Sequence, residues 1–451
     1  MVNSLESVQK YLPFNFKEKL VYFGVVLFAF SFGWLFVRFQ PETALGLGIF
    51  LTLVMAFLVD AKLGVKILIF GAPLLALTQR STTLFPETPY SINLCGMLNI
   101  FIPFFTFLYL WLRRGTNKIS KLNRPIVLFL SISLLTILIS HDKWITLREW
   151  FGLAMPITLY FLILAFFRTK EDLDKLKKIL VYSVFIPLAF SLFQIFNGEP
   201  DALGLNRVYG TFAHPNGFAC YLVVLMPLVV YLYQGASNIN RKTFHLVIFA
   251  LMLLSLFCTY TRVAWVAFLV SMLIIGFARY KKFYLKLILV LLILLLFIPS
   301  FNQIFTRRIQ PDDSFYGRFS FNQFSLALFS QKPILGHGLG TYALLSTPVF
   351  GEKRERYGRT LGVGAHNDYL RTLSETGIIG LFAFFFLFYS LFKTGRRIYR
   401  SGDYNLKSEA LVLLAVLASI LVYGLTDFGF AYGGIYLWTL IALVEAKSNL
   451  I

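Results

Sequence analysis

A histidine and an amide stand side by side at the start of an apolar segment, in the run His366–Gly380. At about 100° per residue, a helix beginning here would place Gly377 and Gly380 on the same face as His366. That face would lead from an ionisable group to a glycine-lined groove, where another helix or a lipid tail can approach closely. The pattern favours titratable chemistry at a membrane surface. The alternative is an interfacial histidine beside glycines that only pack helices.

Three arginines lie on the side of the membrane where the chain carries few cations. Arg207 precedes one apolar segment, Arg262 lies in a tight turn between two others, and Arg318 begins an amphipathic segment. The rigid fork of a guanidinium suits phosphate oxygens, and a departing diphosphate needs such neutralisation. We therefore expect these arginines to bind phosphate oxygens. The alternative is that they snorkel to the interface or pair with carboxylates such as Asp427.

Further polar side chains surround these positions. Tyr209, His214 and Asn216 follow Arg207, and Asn367 follows the histidine of the first motif. All four are candidates for contact with a sugar or a phosphate. For Asn216 the alternative is a helix start, where its side chain would satisfy backbone donors.

Two other patterns are weaker. A phosphate cradle at Gly336, Gly338 and Gly340 would need a strand before it and a lysine after it, and both are missing, so a flexible turn is the better interpretation. Asp172 and Asp174 resemble the metal-binding acidic pair of nucleotide-sugar transferases, yet they lie in a mixed-charge helix start. We expect neither a metal nor another cofactor.

The composition indicates that these residues belong to a membrane protein. Hydrophobic residues make up 57% of the 451 positions and charged residues 14%, against about 25% charged residues in soluble domains. The net charge of +20 comes mostly from Lys and Arg in segments on one side of the membrane. That distribution is the positive-inside bias, which makes the basic excess a sign of orientation and not of nucleic-acid binding.

The apolar runs predict an all-α polytopic membrane protein with about 12–14 transmembrane helices. The runs, fourteen in number with two short ones among them, are 20–37, 43–59, 64–79, 93–112, 125–140, 145–167, 179–197, 212–233, 243–260, 263–278, 283–300, 367–392, 406–426 and 430–446. We expect an N-terminal transmembrane bundle at 1–200 and a catalytic half at 201–451. The long outer loop 301–365 should carry short surface helices, one of them at 316–330.

One spacing resembles a known family. His366 and Asn367, followed after nine residues by Gly377 and Gly380, resemble the signature of the O-antigen ligase and polymerase superfamily. The environments of Arg207 and Arg262 are similar to that family's two outward arginines, and so is the long loop before the histidine. The resemblance covers about 205–392 and implies a GT-C-like membrane glycosyltransferase.

Members of that family move a glycan from undecaprenyl diphosphate to an acceptor hydroxyl at the periplasmic face of the bacterial inner membrane. The resemblance implies cytoplasmic termini, a lipid-linked glycan donor, a glycolipid or glycan acceptor, and membrane lipids as partners. It assigns the diphosphate to Arg207 and Arg262, with Arg318 as a third cation, and makes His366 the base. Attack in line with the leaving group would invert the anomeric centre.

Three other functions stay open at this point. A polymerase that joins lipid-linked repeat units has the same donor and differs only in its acceptor. A transporter or lipid flippase should place ionisable residues near the middle of its spans, whereas here they gather at the outer rim. A structural scaffold would tolerate substitution of the outward arginines. The long loop and the histidine signature favour a ligase with a lipid A-core-like acceptor.

Overall fold

The computed structural model describes residues 41–75, 83–84, 92–112, 120–198, 206–279, 313–352, 354–356, 359–401 and 404–450. Eight of the helices in these ranges are long and apolar enough to cross a membrane, and three shorter apolar helices accompany them. The expected all-α polytopic membrane protein is confirmed. The predicted spans 20–37 and 283–300 lie outside the described residues.

The first part of the described chain is a series of helices joined by short connections. A short helical turn, Ala72–Leu74, follows the second helix, and another, Thr136–Leu138, follows the fourth. The two-residue strands β1 (Thr83–Leu84) and β2 (Ile92–Asn93) form an antiparallel pair before the third helix. The helices are α1 (Pro41–Val59), α2 (Ala61–Gly71), α3 (Leu94–Leu112), α4 (Asn123–Leu135), α5 (Lys143–Phe166), α6 (Lys170–Tyr182) and α7 (Phe185–Asn197).

The second part holds the longest helices. The strands β3 (Arg354–Arg356) and β4 (Arg359–Leu361) form a small antiparallel hairpin within the long loop. The helices are α8 (Pro215–Gly235), α9 (Ile239–Cys258), α10 (Arg262–Arg279), α11 (Asp313–Gln331), α12 (Tyr342–Leu345), α13 (Thr347–Phe350), α14 (Asp368–Ser401), α15 (Tyr404–Gly424) and α16 (Gly429–Ser448).

Three helices form the centre of the bundle. In α8, α15 and α16, between 72% and 83% of the most apolar window is buried, against 28% in α3 and α9. The peripheral helices therefore keep most of their apolar surface for lipid. Helix α5 packs on α16 and α4 packs on α14, so helices of the two predicted regions, 1–200 and 201–451, interlock.

The acidic pair of the mixed-charge segment lies at the start of α6. Thr169 caps this helix by accepting from the Asp172 backbone N–H at 3.1 Å. The Asp172 carboxylate pairs with Lys62 at 2.6 Å and Asp174 pairs with Lys177 at 3.0 Å. These carboxylates therefore bind lysines.

Helix α14 is not the continuous helix that the sequence predicts. Gly377 has non-helical dihedral angles (φ 66°, ψ −169°), and His366 itself precedes the first helical residue. The Tyr369 ring stacks on Phe385 with centroids 5.6 Å apart, whereas sixteen residues of straight helix would separate them by about 24 Å. The chain therefore folds back at Gly377. The predicted stripe from His366 to Gly380 is wrong, because the helical period does not continue through the break.

Backbone groups on both sides of the break form hydrogen bonds with residues 333–338, the segment that contains Gly336 and Gly338. The N–H groups of Ile378 and Ile379 donate to the carbonyls of Pro333 and Ile334, at 2.9 and 3.4 Å. In the other direction, the N–H groups of residues 337 and 338 donate to the carbonyls of residues 374 and 375, at 3.1 and 2.8 Å. These four bonds satisfy backbone groups that the break removes from the helical ladder.

The turn expected around Gly336 is present, but it is closely packed. Gly336, Gly338 and Gly340 all have positive φ, and a Cβ on each would overlap Glu375, Ser140 or Glu149 respectively. Left-handed backbone and close approach both require glycine here. The run is a tightly packed connector.

The surface helix predicted at 316–330 is present as α11. Phe319 and Leu326 on this helix are 60% and 50% exposed, whereas Leu328 is buried against Tyr342 and Ala365. One side of α11 thus anchors it to the long loop, and its exposed apolar side is available to lipid.

Candidate active site

The site forms where five connections meet at one end of the bundle. Val208 donates its N–H to the Cys258 carbonyl at 3.0 Å, which joins the segment before α8 to the turn after α9. The Thr211 hydroxyl donates to the Pro73 carbonyl at 2.7 Å. The segments before α14 and after α15 complete the cluster, so residues far apart in sequence share one end of the bundle.

The Arg207 guanidinium is held by three acceptors. Nε donates to the Thr259 carbonyl at 3.0 Å, and Nη2 lies 3.1 Å from Asn216 Oδ1 and 3.4 Å from Thr261 Oγ1. The side chain is half-buried. A fork fixed in this way presents a cation at the rim with a defined orientation.

Asn216 connects this arginine to an acid. Its Oδ1 accepts from Arg207 and from the Thr261 hydroxyl at 3.2 Å, while its Nδ2 donates to the Asp427 carboxylate. The Tyr423 hydroxyl donates to the Asn216 carbonyl at 2.7 Å. The expected contact of Asn216 with substrate stays a prediction, since the structure shows the residue as a link within the protein.

Asp427 is fully buried, and it contacts the predicted base. Its Oδ1 lies 3.3 Å from His366 Nδ1 and accepts the Phe428 N–H at 2.9 Å. Burial alone would raise the pKa of Asp427, but the hydrogen bond and charge of His366, the Phe428 N–H and the Arg318 charge together hold it below its usual value. The carboxylate is therefore ionised at neutral pH. An ionised acceptor fixes the orientation of the imidazole.

His366 lies in a constrained conformation. Its φ is +48°, a left-handed value that is uncommon outside glycine. The ring packs beside Phe428 and Phe321, with centroid separations of 5.2 and 6.1 Å, and 29% of the side chain stays exposed. Two aromatic rings and one carboxylate thus aim an accessible imidazole, and strain of this kind is typical of functional positions.

Asn367 supports this conformation from the next position. Its Oδ1 accepts the N–H groups of Tyr369 and Leu370, both at 3.0 Å, and its Nδ2 donates to the Leu425 carbonyl at 2.9 Å. The amide therefore caps the first arm of α14. The polar groups of Asn367 are occupied by the protein, and its predicted role toward substrate stays untested.

His214 caps α8 through its ring. Nδ1 accepts the Asn216 N–H at 3.1 Å, which requires an unprotonated nitrogen. Burial of the ring first, and then the charge of Arg207, lowers the pKa of His214 to about 4, although the residue as a whole is exposed. His214 is therefore neutral at pH 7 and caps α8, and its expected contact with a sugar or a phosphate stays a prediction.

The two other predicted arginines also lie at this end. Arg262 is half-buried and begins α10, directly after the Thr261 that contacts Arg207. Arg318 is half-buried on α11, and its charge acts on both His214 and Asp427. Three guanidinium groups thus share the region with one ionised carboxylate, an arrangement suited to an anionic group beside a base. Tyr209, the remaining candidate, is 44% exposed at the rim.

The sequence interpretation missed the role of Asp427. Its signal was available, because Asp427 is the lone acid in the turn between the last two apolar runs. A second missed group is the ion pair network of Arg371, whose Nη2 and Nε contact Glu149 and Glu375 at 2.9 and 3.1 Å. Arg371 and Glu375 stand four apart in the motif itself, a helical spacing for charge pairing.

Metal-binding residues do not cluster in the described ranges. No group of three or more His, Cys, Asp or Glu side chains there lies close enough to hold an ion. The cationic groups at the site are arginines, which can supply positive charge to a phosphate directly.

A comparison with protein families matches residues 247–385 to the family described as O-antigen ligase. The matched stretch contains Arg262, Arg318 and His366, while Arg207 precedes it and Asp427 follows it. No curated protein matches the chain. The match confirms the resemblance to the O-antigen ligase and polymerase superfamily.

Proposed function

Because residues 247–385 match the O-antigen ligase family, we propose that this protein is a membrane glycosyltransferase. It moves a glycan from undecaprenyl diphosphate to a hydroxyl of a lipid A-core-like acceptor. The reaction takes place at the periplasmic face of the inner membrane, and both termini lie in the cytoplasm.

One observation carries this proposal. Arg207, Asn216, Asp427 and His366 form a continuous chain of side-chain contacts. Arginine and histidine, the two groups that the chemistry needs, come from segments more than a hundred residues apart. Their connection through a buried carboxylate supports a common site.

In the proposed mechanism, His366 accepts the proton of the acceptor hydroxyl. Because the ionised Asp427 is an acceptor, the proton on the resting imidazole belongs at Nδ1, which leaves the Nε2 lone pair as the base. The acceptor oxygen attacks the anomeric carbon as the bond to the diphosphate oxygen breaks. Inversion at that carbon follows from attack opposite the leaving group.

The arginines act on the leaving group. Negative charge grows on the diphosphate as its bond to the sugar lengthens, and fixed guanidinium groups stabilise that charge without reorganisation. Arg207 is oriented for this role by its contacts to the turn before α10 and to Asn216. Arg262 and Arg318 supply further positive charge nearby.

The test uses purified protein in nanodiscs with a lipid-linked glycan donor and a core glycolipid acceptor. We expect His366→Ala to lower kcat by roughly 10²–10⁴-fold, the usual contribution of a general base. Arg207→Lys should also be impaired, since a point charge cannot replace the fork. The control is His141→Ala, an exposed histidine before α5. Transfer by His366→Ala at the wild-type rate would disprove the assignment of the base.

The polymerase is the alternative that the family match leaves in place. Its donor chemistry is the same, so the same residues would act, and only the acceptor would be another lipid-linked glycan. Incubation of the protein with donor alone distinguishes the two. Glycan chains that lengthen on the lipid carrier would identify a polymerase, and transfer that depends on the core glycolipid a ligase.

A further inference from the structure

A second polar space lies among five helices, beside the candidate active site. Its volume is about 290 Å³, at the small end of the range of small-molecule sites. Each helix contributes to the wall. Examples are Asn99 of α3, Ser133 of α4, Gly152 of α5, Thr372 of α14 and Trp438 of α16.

The charges around this cavity differ from those of the candidate active site. Three carboxyl groups and two guanidinium groups line it, those of Glu149, Asp368, Glu375, Arg148 and Arg371. The carboxyl groups outnumber the arginines, so the wall does not favour a phosphate or another anion. At the candidate active site the balance is reversed, with three arginines around one ionised carboxylate.

Four of these five charged groups are held in fixed positions by the protein. Arg371 spans Glu149 and Glu375, and the Asp368 Oδ2 accepts the Phe430 N–H at 2.8 Å. They therefore form a rigid wall of planar polar groups. Groups fixed in this way can accept or donate to hydroxyls at little cost in side-chain entropy.

Other polar groups in the wall have capacity to bind a ligand. The Asn99 amide makes no hydrogen bond to any residue in the described part of the chain, and it lies beside Gly152. The hydroxyls of Thr372 and Thr376 donate to carbonyls of their own helix, which leaves oxygen lone pairs as acceptors. An unpaired amide favours a ligand that both donates and accepts.

Aromatic rings complete the wall. Phe129, Phe384, Phe430 and Trp438 line the apolar part of the cavity. Their ring faces carry negative charge density, which suits the slightly positive C–H groups on one side of a sugar ring. A sugar has hydroxyls around its edge and C–H groups on its faces, and this cavity offers partners for both.

The Phe428 ring connects the cavity to the candidate active site. Its centroid lies 5.2 Å from that of the His366 ring and 5.5 Å from the guanidinium carbon of Arg371. One aromatic residue, Phe428, therefore lies between a glycan that reaches His366 and the cavity.

We propose that this cavity binds one neutral sugar ring of a glycan substrate. The identity of that substrate rests on the proposed glycan transfer. Binding of the sugar itself does not depend on transfer, so the two proposals can fail separately.

Gly152→Leu tests the cavity directly. A Cβ at Gly152 would meet the Asn99 amide nitrogen at 3.5 Å and no other atom outside its own helix within 4 Å. Because Gly152 lines the cavity, a leucine there should occupy part of its volume. The matched control is Gly235→Leu at the far end of α8, where an added Cβ meets nothing within 4 Å. Asn99→Leu is a second variant of similar volume that removes only the amide.

Binding would be measured by saturation-transfer NMR on purified protein in detergent, with neutral hexoses, deoxyhexoses and N-acetylhexosamines as probes. We expect a sugar signal that Gly152→Leu removes, that Asn99→Leu weakens about tenfold in Kd, and that Gly235→Leu leaves unchanged. Arg207→Lys should also retain it. The absence of any signal sensitive to Gly152→Leu would overturn the proposal, and so would displacement of the sugar by inorganic phosphate or glycerol phosphate.

Kinetics in nanodiscs then identify the source of the sugar. A KM that rises at least about tenfold for the lipid-linked donor in Asn99→Leu assigns the ring to the donor glycan, and a rise for the acceptor assigns it to the acceptor. If sugar binding behaves as expected while neither variant nor wild type transfers glycan, the proposed function fails and the cavity proposal stands. Unchanged KM for both substrates would show that the cavity has no part in recognising substrate.

Discussion

Asp427→Asn is the sharpest perturbation of the site, because it keeps the shape and removes one acceptor. The carboxylate accepts from Asn216 Nδ2, His366 Nδ1 and the Phe428 N–H. An amide at position 427 has one acceptor and one donor group. In one orientation the NH₂ group at position 427 would face the NH₂ group of Asn216. In the other orientation it would face the Nδ1–H of His366 and the N–H of Phe428. Either way a buried donor is left without an acceptor.

The magnitude follows from this count of donors. Leaving one buried donor unsatisfied costs about 1–3 kcal/mol, and hydrogen bonds to a charged group contribute about 1.5–3 kcal/mol. Partners that orient a functional histidine contribute about 10–100-fold in metal sites, where this has been measured most. We expect kcat to fall by roughly 10²-fold and stability to fall by about 1–3 kcal/mol. The donor KM should change little, because the arginines remain.

The assay is steady-state glycan transfer in nanodiscs, with thermal unfolding measured on the same preparations. Asp172→Asn is the control, since its carboxylate pairs with Lys62 at the other end of the bundle. A variant with full kcat and a raised donor KM would show that Asp427 acts on the diphosphate and not through His366. Full activity at wild-type stability would refute the hydrogen-bond argument as a whole.

Three further predictions concern stability. The pKa of His214 is about 4 in the folded protein and near 6.5 in the unfolded chain. Because the unfolded chain binds the proton first, the protein should lose stability as the pH falls from about 6.5 to 4. His214→Asn should lose less stability over this range. Gly377→Ala should destabilise by about 2 kcal/mol or more, since positive φ and a neighbouring carbonyl oppose a side chain, whereas Gly235→Ala should not. Glu409, near the start of α15 and far from the site, pairs with buried Lys447 at 2.7 Å, so Glu409→Gln should cost about 3–5 kcal/mol by leaving Lys447 uncompensated, without changing transfer per folded molecule.

Each of these predictions is read from thermal unfolding of purified protein. Equal loss of stability between pH 7 and 4.5 in wild type and His214→Asn would assign the pH dependence to other groups. A Gly377→Ala variant as stable as Gly235→Ala would show that the fold-back in α14 does not require glycine at position 377. Loss of transfer in folded Glu409→Gln would mean that the two ends of the bundle are coupled.

Much of the architecture could be predicted from the sequence because transmembrane helices carry a strong signal. Apolar runs of sufficient length predict helices without knowledge of their neighbours. The predicted runs 145–167, 212–233, 406–426 and 430–446 correspond to α5, α8, α15 and α16 within a few residues. The outward arginines were candidates because they depart from the charge pattern of the rest of the chain, and His366 because it stands beside Asn367 at the start of an apolar segment.

Contacts between distant segments could not be predicted in the same way. The sequence identified Asp427 only as a carboxylate available for pairing. Nothing in its own turn predicts that His366 or Asn216 lies next to it. The break at Gly377 was missed for a different reason. Helical periodicity assumes that the helix continues, and a glycine is compatible both with close helix packing and with a reversal of the chain.

The fold-back at Gly377 makes the first part of α14 a short arm that is held at both ends. The first arm of α14 carries Asn367 at its start and Arg371 within it, and it ends where the chain reverses. The backbone of residues 333–338 holds that end by four hydrogen bonds, and the Asn367 cap holds the other.

This short arm therefore has two functional sides. His366 precedes it and meets Asp427, while Arg371 and Thr372 on the arm face the polar cavity. A straight helix would carry Tyr369 away from Phe385, and the stacking of those rings shows that the arm instead lies back against its own continuation. Loosening the glycine connector should consequently affect the base and the cavity together, whereas substitutions at Asp427 or Gly152 should separate them.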